Sequence, residues 1–178
     1  IMMEASGVVP EGRISTACLG LWNETQTDRL KPIIDFAHSM GTKIGIQLAH
    51  AGRKASCLPP WSDHPMASKE EGGWECVAPS AISFGGKYPV PKALTIAEIK
   101  NLVESFAAAA KRAVTAGFDL VEIHAAHGYL IHQFLSPISN TRTDEYGGTF
   151  ENRIRFFIEI AKAVRRAIPD QMPLFDRI

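Results

Sequence analysis

Apolar residues recur with a period of two in four short stretches and with a period near 3.6 in three longer ones. Ile1–Ser6, Lys43–Leu48, Phe118–His124 and Pro173–Ile178 read as strands. Thr25 or Thr27 is placed to cap a first helix running to Met40, with Leu30, Ile33, Ile34 and Ala37 as its apolar stripe and Gly41 as its stop. Thr95-Ile96-Ala97-Glu98 has the form of a capping box. It opens a second helix that continues to Ala116 on Ile96, Ile99, Leu102, Val103 and Phe106, and Gly117 ends it. A third helix starts after Thr149 and runs to about Ile168, with Ile154, Phe157, Ile158, Ala161 and Val164 inward and Pro169 beyond. Gly7, Pro10 and Gly12 mark the segment after the first strand as a loop.

From His50 to Leu94 no helical period appears, and Pro59, Pro60, Pro65, Pro79, Pro89 and Pro91 punctuate the stretch. A loop of this length in a compact domain is a rim, a lid or a mobile segment. Trp61 and Trp74 are expected to pack it down, with covering a site as their other role. The order is therefore β-α-β-loop-α-β-α-β. Strands alternating with helices predict an α/β fold with a parallel sheet and right-handed crossovers, in one domain over residues 1–178. No GxGxxG follows a strand, which disfavours a dinucleotide-binding Rossmann domain.

Composition narrows the function. The 178 residues suffice for one core, and 19 Lys and Arg balance 19 Asp and Glu. Without a basic run, nucleic acid and acidic membrane surfaces are not expected partners. No apolar stretch approaches the roughly 20 residues of a membrane span. Cys18, Cys57 and Cys76 are odd in number and form no CxxC, which suggests reduced thiols and a cytoplasmic setting. The opening IMMEAS and the closing PLFDRI both read as strands, so both ends look cut.

The chemistry concentrates in Val121–Gly148. Strand parity puts Leu120, Glu122 and His124 on one face and Val121 and Ile123 on the other. His124 is the last side chain on the polar face, and the loop is able to fold His127 back beside it. Two ring N–H groups aimed at one point would hold a carbonyl oxygen and stabilise charge developing there. Tyr129 would exchange a proton nearby. The pair also reads as a metal site, with His132 the one candidate third ligand, or as two structural loop histidines. No metal is expected.

VEIHAAHGYLIHQFLSPISNTRTDEYGG followed by FENRIRF, together with GIQLAHAGRK and EASGVVPEGRIS, resembles the Old Yellow Enzyme family of flavin-dependent ene-reductases. The blocks stand in the family's order over nearly the whole chain, and their form is closest to the YqjM-like branch. The resemblance implies a partial (β/α)8 TIM barrel, about strands two to five, with the first and last three strands absent. Residues 63–76 then look like an insertion. It also implies FMN as cofactor, NADPH or NADH as reductant, and a small activated alkene as substrate.

Residue by residue, His124 and His127 match the pair that binds the substrate's carbonyl oxygen, and Tyr129 matches the proton donor. Gln47 matches a glutamine that bonds the flavin ring. Ala5 matches a backbone contact to it, and Arg177 matches the arginine near its N1 and O2 edge. Arg53, Arg142, Asp144 and Glu145 fall to ordering loops. Asp176 departs from the pattern, standing where an apolar residue facing the helix layer is expected. A homo-oligomer is compatible with this reading. The alternatives are a truncated chain or interaction partner that does not retain FMN, and another flavin oxidoreductase such as a 2,4-dienoyl-CoA reductase.

Overall fold

In the computed structural model, which describes residues 1–178, the strands are β1 (Met2–Gly7), β2 (Gly45–Ala49), β3 (Val77–Ala78), β4 (Lys92–Ala93), β5 (Leu120–His124) and β6 (Leu174–Arg177). The helices are α1 (Glu24–Ser39), α2 (Ile96–Ala116), α3 (Leu130–Leu135) and α4 (Phe150–Ala167). β1, β2, β5 and β6 form one parallel sheet in that order, open at both edges, while β3 and β4 make a separate two-stranded pair. This is the α/β order expected from the sequence, without a closed barrel.

Parity divides the sheet into two faces. Ile46, Leu48, Val121 and Ile123 are fully buried and join one core with Phe106 of α2 and Phe156 and Ile160 of α4. The other face carries an aligned row across all four strands: Ala5, Gln47, Glu122 and Phe175. One step further along, His124 of β5 stands beside Arg177 of β6. The apolar face sets the register, because a slip by one residue would turn Ile46 and Val121 away from the helices.

The helices follow local rules, with corrections. α2 has its capping box, and Gly117 closes it in the left-handed conformation at φ 101°. α1 is capped by Asn23 rather than Thr25 or Thr27. Gln26 N–H donates to Asn23 Oδ1 at 2.9 Å, and Asn23 N–H donates to Gln26 Oε1 at 3.2 Å. Thr27 is buried, and its hydroxyl donates to the Asn23 carbonyl. Ile33, expected inward, is exposed. α4 buries Phe156, Ile160, Ala163 and Val164, whereas Ile158 is exposed and Phe157 and Ala161 are half-buried. Its buried face is the one that meets α2 and α3, one residue round from the expected stripe.

Each strand begins one or two residues later than expected, and ahead of β2 the Asp119 carboxylate takes the local donors. It accepts from Ile44 N–H at 2.9 Å and Lys43 Nζ at 2.7 Å. α3 is an element that the sequence pattern does not predict, since its six residues lie within the signature loop. Asp176 pairs in register with Ile123, on the helix side of the sheet as parity requires. It is exposed as a residue and makes no ion pair, and partial desolvation of its carboxyl, with Glu122 near, raises its pKa.

The segment 50–94 contains no α-helix and is fastened at several points. Trp74 packs it down: its indole N–H donates to the Glu11 carbonyl at 2.8 Å, and the Arg13 guanidinium lies 4.8 Å from its ring. Trp61 is 83% exposed and packs against nothing comparable.

Candidate active site

β5 ends at His124, and the chain then turns through Ala125–Gly128 into α3. The turn needs two left-handed residues, His127 at φ 58° and Gly128 at φ 72°. His127 is a non-glycine residue in this conformation, which is uncommon and costs free energy. The turn brings the expected residues together. The His124 and His127 rings lie 5.0 Å apart at 90°, and the His124 and Tyr129 rings 5.0 Å apart at 88°. His124 is buried, His127 exposed and Tyr129 half-buried, so the cluster opens toward solvent on the His127 side.

The hydrogen bonds assign the proton on His124. Ala126 N–H donates to its Nδ1 at 3.3 Å. That nitrogen therefore carries the lone pair, and in the neutral ring the proton sits on Nε2. Burial, with His127 and Arg177 nearby, lowers the His124 pKa to about 4. At neutral pH the ring is an uncharged donor through Nε2. No protein group takes up this donor or the His127 ring nitrogens, whereas His132 Nδ1 is engaged by Gly128 N–H at 2.8 Å. His132 thus faces its own turn, and no cluster of three or more His, Cys, Asp or Glu fit to hold a metal is present.

Tyr129 has a hydroxyl free of protein partners. Burial, with Cys18 and Cys57 nearby, raises its pKa. The phenol is protonated at neutral pH and able to give up a proton.

The other residues sit on the same face of the sheet. Gln47 is buried, and its Nε2 donates to Glu122 Oε1 at 2.5 Å. Gln47 stands one step before the level of His124, about 6.6 Å of strand rise. Ala5 is level with Gln47, and the ladder slips by one residue between Met3 and Ala5. Arg177, in register with His124, makes no ion pair or side-chain hydrogen bond in this chain.

Sequence reasoning missed the residues that join the two loops beneath the cluster. Gln133 is fully buried, and its Nε2 donates to the Ala51 carbonyl at 3.2 Å and the Gly128 carbonyl at 2.8 Å. Lys54 Nζ donates to the His127 carbonyl at 3.0 Å. The bonds from Lys54 to His127 and from Gln133 to Ala51 have no local sequence signal, because the partners lie 73 and 82 positions apart. The loop-ordering residues behave as expected. Arg142 pairs with Asp144 and donates to the Pro79 and Leu94 carbonyls, and Arg53 donates to the Ile82 and Ser83 carbonyls. Glu145 contributes its backbone carbonyl, which accepts from Arg155. A cavity of about 650 Å³ is lined by Ile14, Cys18, Cys57, Trp61 and Tyr88 and by none of His124, His127 and Tyr129; its nearest link to them is through Cys18 and Cys57, which lie near Tyr129.

The model of the NADH:flavin oxidoreductase / NADH oxidase family matches residues 1–178. An NADH:flavin oxidoreductase of Gibberella zeae is 58% identical over 99% of this chain and 44% of its own length. An NADPH dehydrogenase of Clostridium acetobutylicum is 47% identical over 100% of this chain and 48% of its own. Among solved structures, morphinone reductase superposes with a TM-score of 0.86 at 33% identity, covering 99% of this chain and 48% of that one. The old yellow enzyme homologue from Zymomonas mobilis superposes with a TM-score of 0.84 at 35% identity, over 99% and 48%. The chain spans about half the length of the relatives it matches.

Proposed function

The chain belongs to the NADH:flavin oxidoreductase / NADH oxidase family, and we propose that its protein is an FMN-dependent, NAD(P)H-linked ene-reductase of the YqjM-like branch. It reduces the C=C bond of enones and enals. The observation that carries this reading is the His124 tautomer. Ala126 N–H occupies Nδ1, so a neutral Nε2–H is left to donate beside the free ring of His127. Two ring donors at one point suit a carbonyl oxygen. They gain strength as that oxygen becomes negative, and the β-carbon becomes a better hydride acceptor.

The sheet face suits a flat cofactor. Ala5 and Ala49 flank Gln47 and leave its surroundings low, and Gln47 Oε1 is without a protein donor. The unpaired Arg177 guanidinium would sit where negative charge on a reduced ring needs a cation. Ala5, Gln47 and Arg177 are thus the residues proposed to hold FMN, which when bound supplies hydride transfer. His124 and His127 bind and orient the substrate oxygen. Tyr129 holds a proton on its hydroxyl and delivers it to the α-carbon side of the alkene.

A chain that does not retain flavin is the second reading, and the sheet open at β1 and β6 favours it. No helix is long and apolar enough to cross a membrane. The three free thiols support a cytoplasmic location.

One experiment separates the readings. FMN is added to the purified chain, excess is removed, and the visible spectrum is recorded with and without a phenol. Retained flavin with a new long-wavelength band on adding phenol supports the ene-reductase site. A folded chain that retains no flavin supports the second reading.

A further inference from the structure

His50 has no part in the assignments above, yet it is the most deeply buried histidine of the chain, 2% exposed. It follows β2 directly. Its ring packs over Gly12, where an added Cβ would come within 3.1 Å of Cδ2. Gly52 N–H donates to its Nδ1 at 3.0 Å. That nitrogen holds the lone pair, so in the neutral ring the proton sits on Nε2. Burial lowers the pKa to about 4, and at neutral pH the ring is an uncharged donor. Its Nε2 makes no hydrogen bond within the chain. A buried donor without a partner is costly, and such a group calls for a partner from outside the chain.

The partner has a place to sit. Of the buried side-chain nitrogens without a partner, only Nε of Arg53 and of Arg165 are sealed off. His50 Nε2 keeps some access, and His50 forms part of the wall of a cavity of about 250 Å³. That is far more than the roughly 30 Å³ that one water fills. Val9, Val77, Leu94 and Leu102 make its sides apolar. Glu11, Glu98, Asn101 and Ser105 supply its other polar groups, and none of His124, His127 and Tyr129 lines it.

The charges select the ligand. The Glu11 carboxylate has no ion pair, whereas Glu98 is paired with Lys92 Nζ at 2.6 Å and accepts from Thr95 N–H at 2.8 Å. Lys92 offsets one of the two carboxylates, so one negative charge is left and no lining residue is a cation. An anion would be repelled by that charge. A bare ammonium would suit Glu11 and leave Nε2–H without an acceptor. An uncharged group with an acceptor beside N–H donors answers both needs: the acceptor for Nε2–H, the donors for Glu11 or for the side-chain oxygen of Asn101.

We infer that this cavity is a second binding site, for a small uncharged molecule that presents a carbonyl oxygen to His50 and N–H donors to the acidic rim. Primary carboxamides are the simplest such class, with the apolar walls taking their hydrocarbon part. The site requires neither flavin nor the His124–His127 pair. It is joined to the candidate active site through the same residue, because Leu130 N–H, directly after Tyr129, donates to the His50 carbonyl at 2.9 Å.

The test uses the 178-residue chain, isotope-labelled and titrated with benzamide and, separately, with benzoate at neutral pH. The His50 Nε2 and Gly52 amide resonances read occupancy. Benzamide is expected to move both in a saturable way. Benzoate should bind at least about tenfold more weakly, the scale of one partly screened charge a few ångström away. Ser105→Phe fills the cavity from a half-buried position on α2 and leaves His50 in place. It should abolish the response to benzamide. Where that variant perturbs the fold, Asn101→Trp closes the rim from an exposed position and should do the same.

A His50 Nε2 resonance that benzamide does not move at any soluble concentration overturns the site and leaves ordered water as the partner of that nitrogen. Benzoate binding as tightly as benzamide overturns the choice of an uncharged ligand. Benzamide that still moves the Nε2 resonance in a folded Ser105→Phe or Asn101→Trp chain overturns its placement in this cavity.

Discussion

The side-chain amide of Gln133 fills the space into which a Cβ on residue 52 would project. Such a Cβ would meet Gln133 Oε1 at 2.3 Å and Nε2 at 2.6 Å, and Gly52 has a φ of 60°. The amide bonds both loops that carry the candidate site, so it has little freedom to move aside. Gly52→Ala is expected to lose about 2–4 kcal/mol, from the left-handed backbone and the clash together. Removing the amide as well, in Gly52→Ala/Gln133→Ala, abolishes the clash and leaves the strain. Urea unfolding of both singles and the double decides it. The double should lose less than the sum of the singles, and simple additivity would refute the steric account.

Acid should unfold the protein through two histidines before its carboxylates matter. Burial lowers the pKa of His50 to about 4, and burial with His127 nearby lowers that of His124 to about 4. An unfolded histidine titrates near 6.5. The unfolded chain therefore binds protons first as pH falls. The stability is fully present above about pH 6.5 and is lost as pH drops toward about 4, at most about 3 kcal/mol for each ring. Glu98, held at about 2 by Lys92 and the Thr95 cap, titrates below this window. Unfolding free energies at pH 7, 5.5 and 4.5 should fall steadily, and His50→Asn should flatten the slope. A slope unchanged in that variant would remove His50 from the account.

Arg142 fastens the later part of the long loop, at Pro79 and Leu94, to the signature loop. Its guanidinium pairs with both oxygens of Asp144 and donates to the carbonyls of Pro79 and Leu94, with its own side chain only 10% exposed. Arg142→Met strands a partly buried carboxylate and two carbonyls, and about 3 kcal/mol should be lost. Lysine has the charge but not the fork, so Arg142→Lys should recover less than half of that. The check is thermal unfolding beside limited proteolysis, with cleavage between 79 and 94 rising in both variants. Wild-type stability in Arg142→Lys would mean the charge alone suffices.

Much of this was legible because it is local. Alternation along Lys43–Leu48 and Phe118–His124 gave the correct faces for Gln47 and His124, and Thr95 with Glu98 gave the start of α2. The Asn23 cap was legible too, since Gln26 stands three residues on, but neighbouring threonines masked it. The apolar stripe of α4 is wider than the face that α2 and α3 cover, so periodicity alone could not choose among Phe156, Phe157 and Ile158. Lys54 and Gln133 were beyond reach for a different reason. Their partners, His127 and Ala51, are set by how two loops meet above the sheet, and no spacing in the chain encodes that meeting.

Tyr129→Phe separates proton delivery from packing. The ring stays, with its edge-on contact to His124 and the Lys54 ammonium over its face, and only a hydroxyl without a protein partner is lost. Stability should change by less than about 0.5 kcal/mol, as for a substitution that strands no buried polar group. In the flavin-loaded protein the step that consumes the alkene should slow by about 10²–10³, the usual contribution of a positioned acid. Reduction of the flavin by NAD(P)H has no use for this proton and should keep its rate. Stopped-flow measurement of the two halves reads both. Equal slowing of the halves would mean that Tyr129 shapes the site rather than serving the alkene. An unslowed alkene step would move the proton source elsewhere, to water entering on the open His127 side.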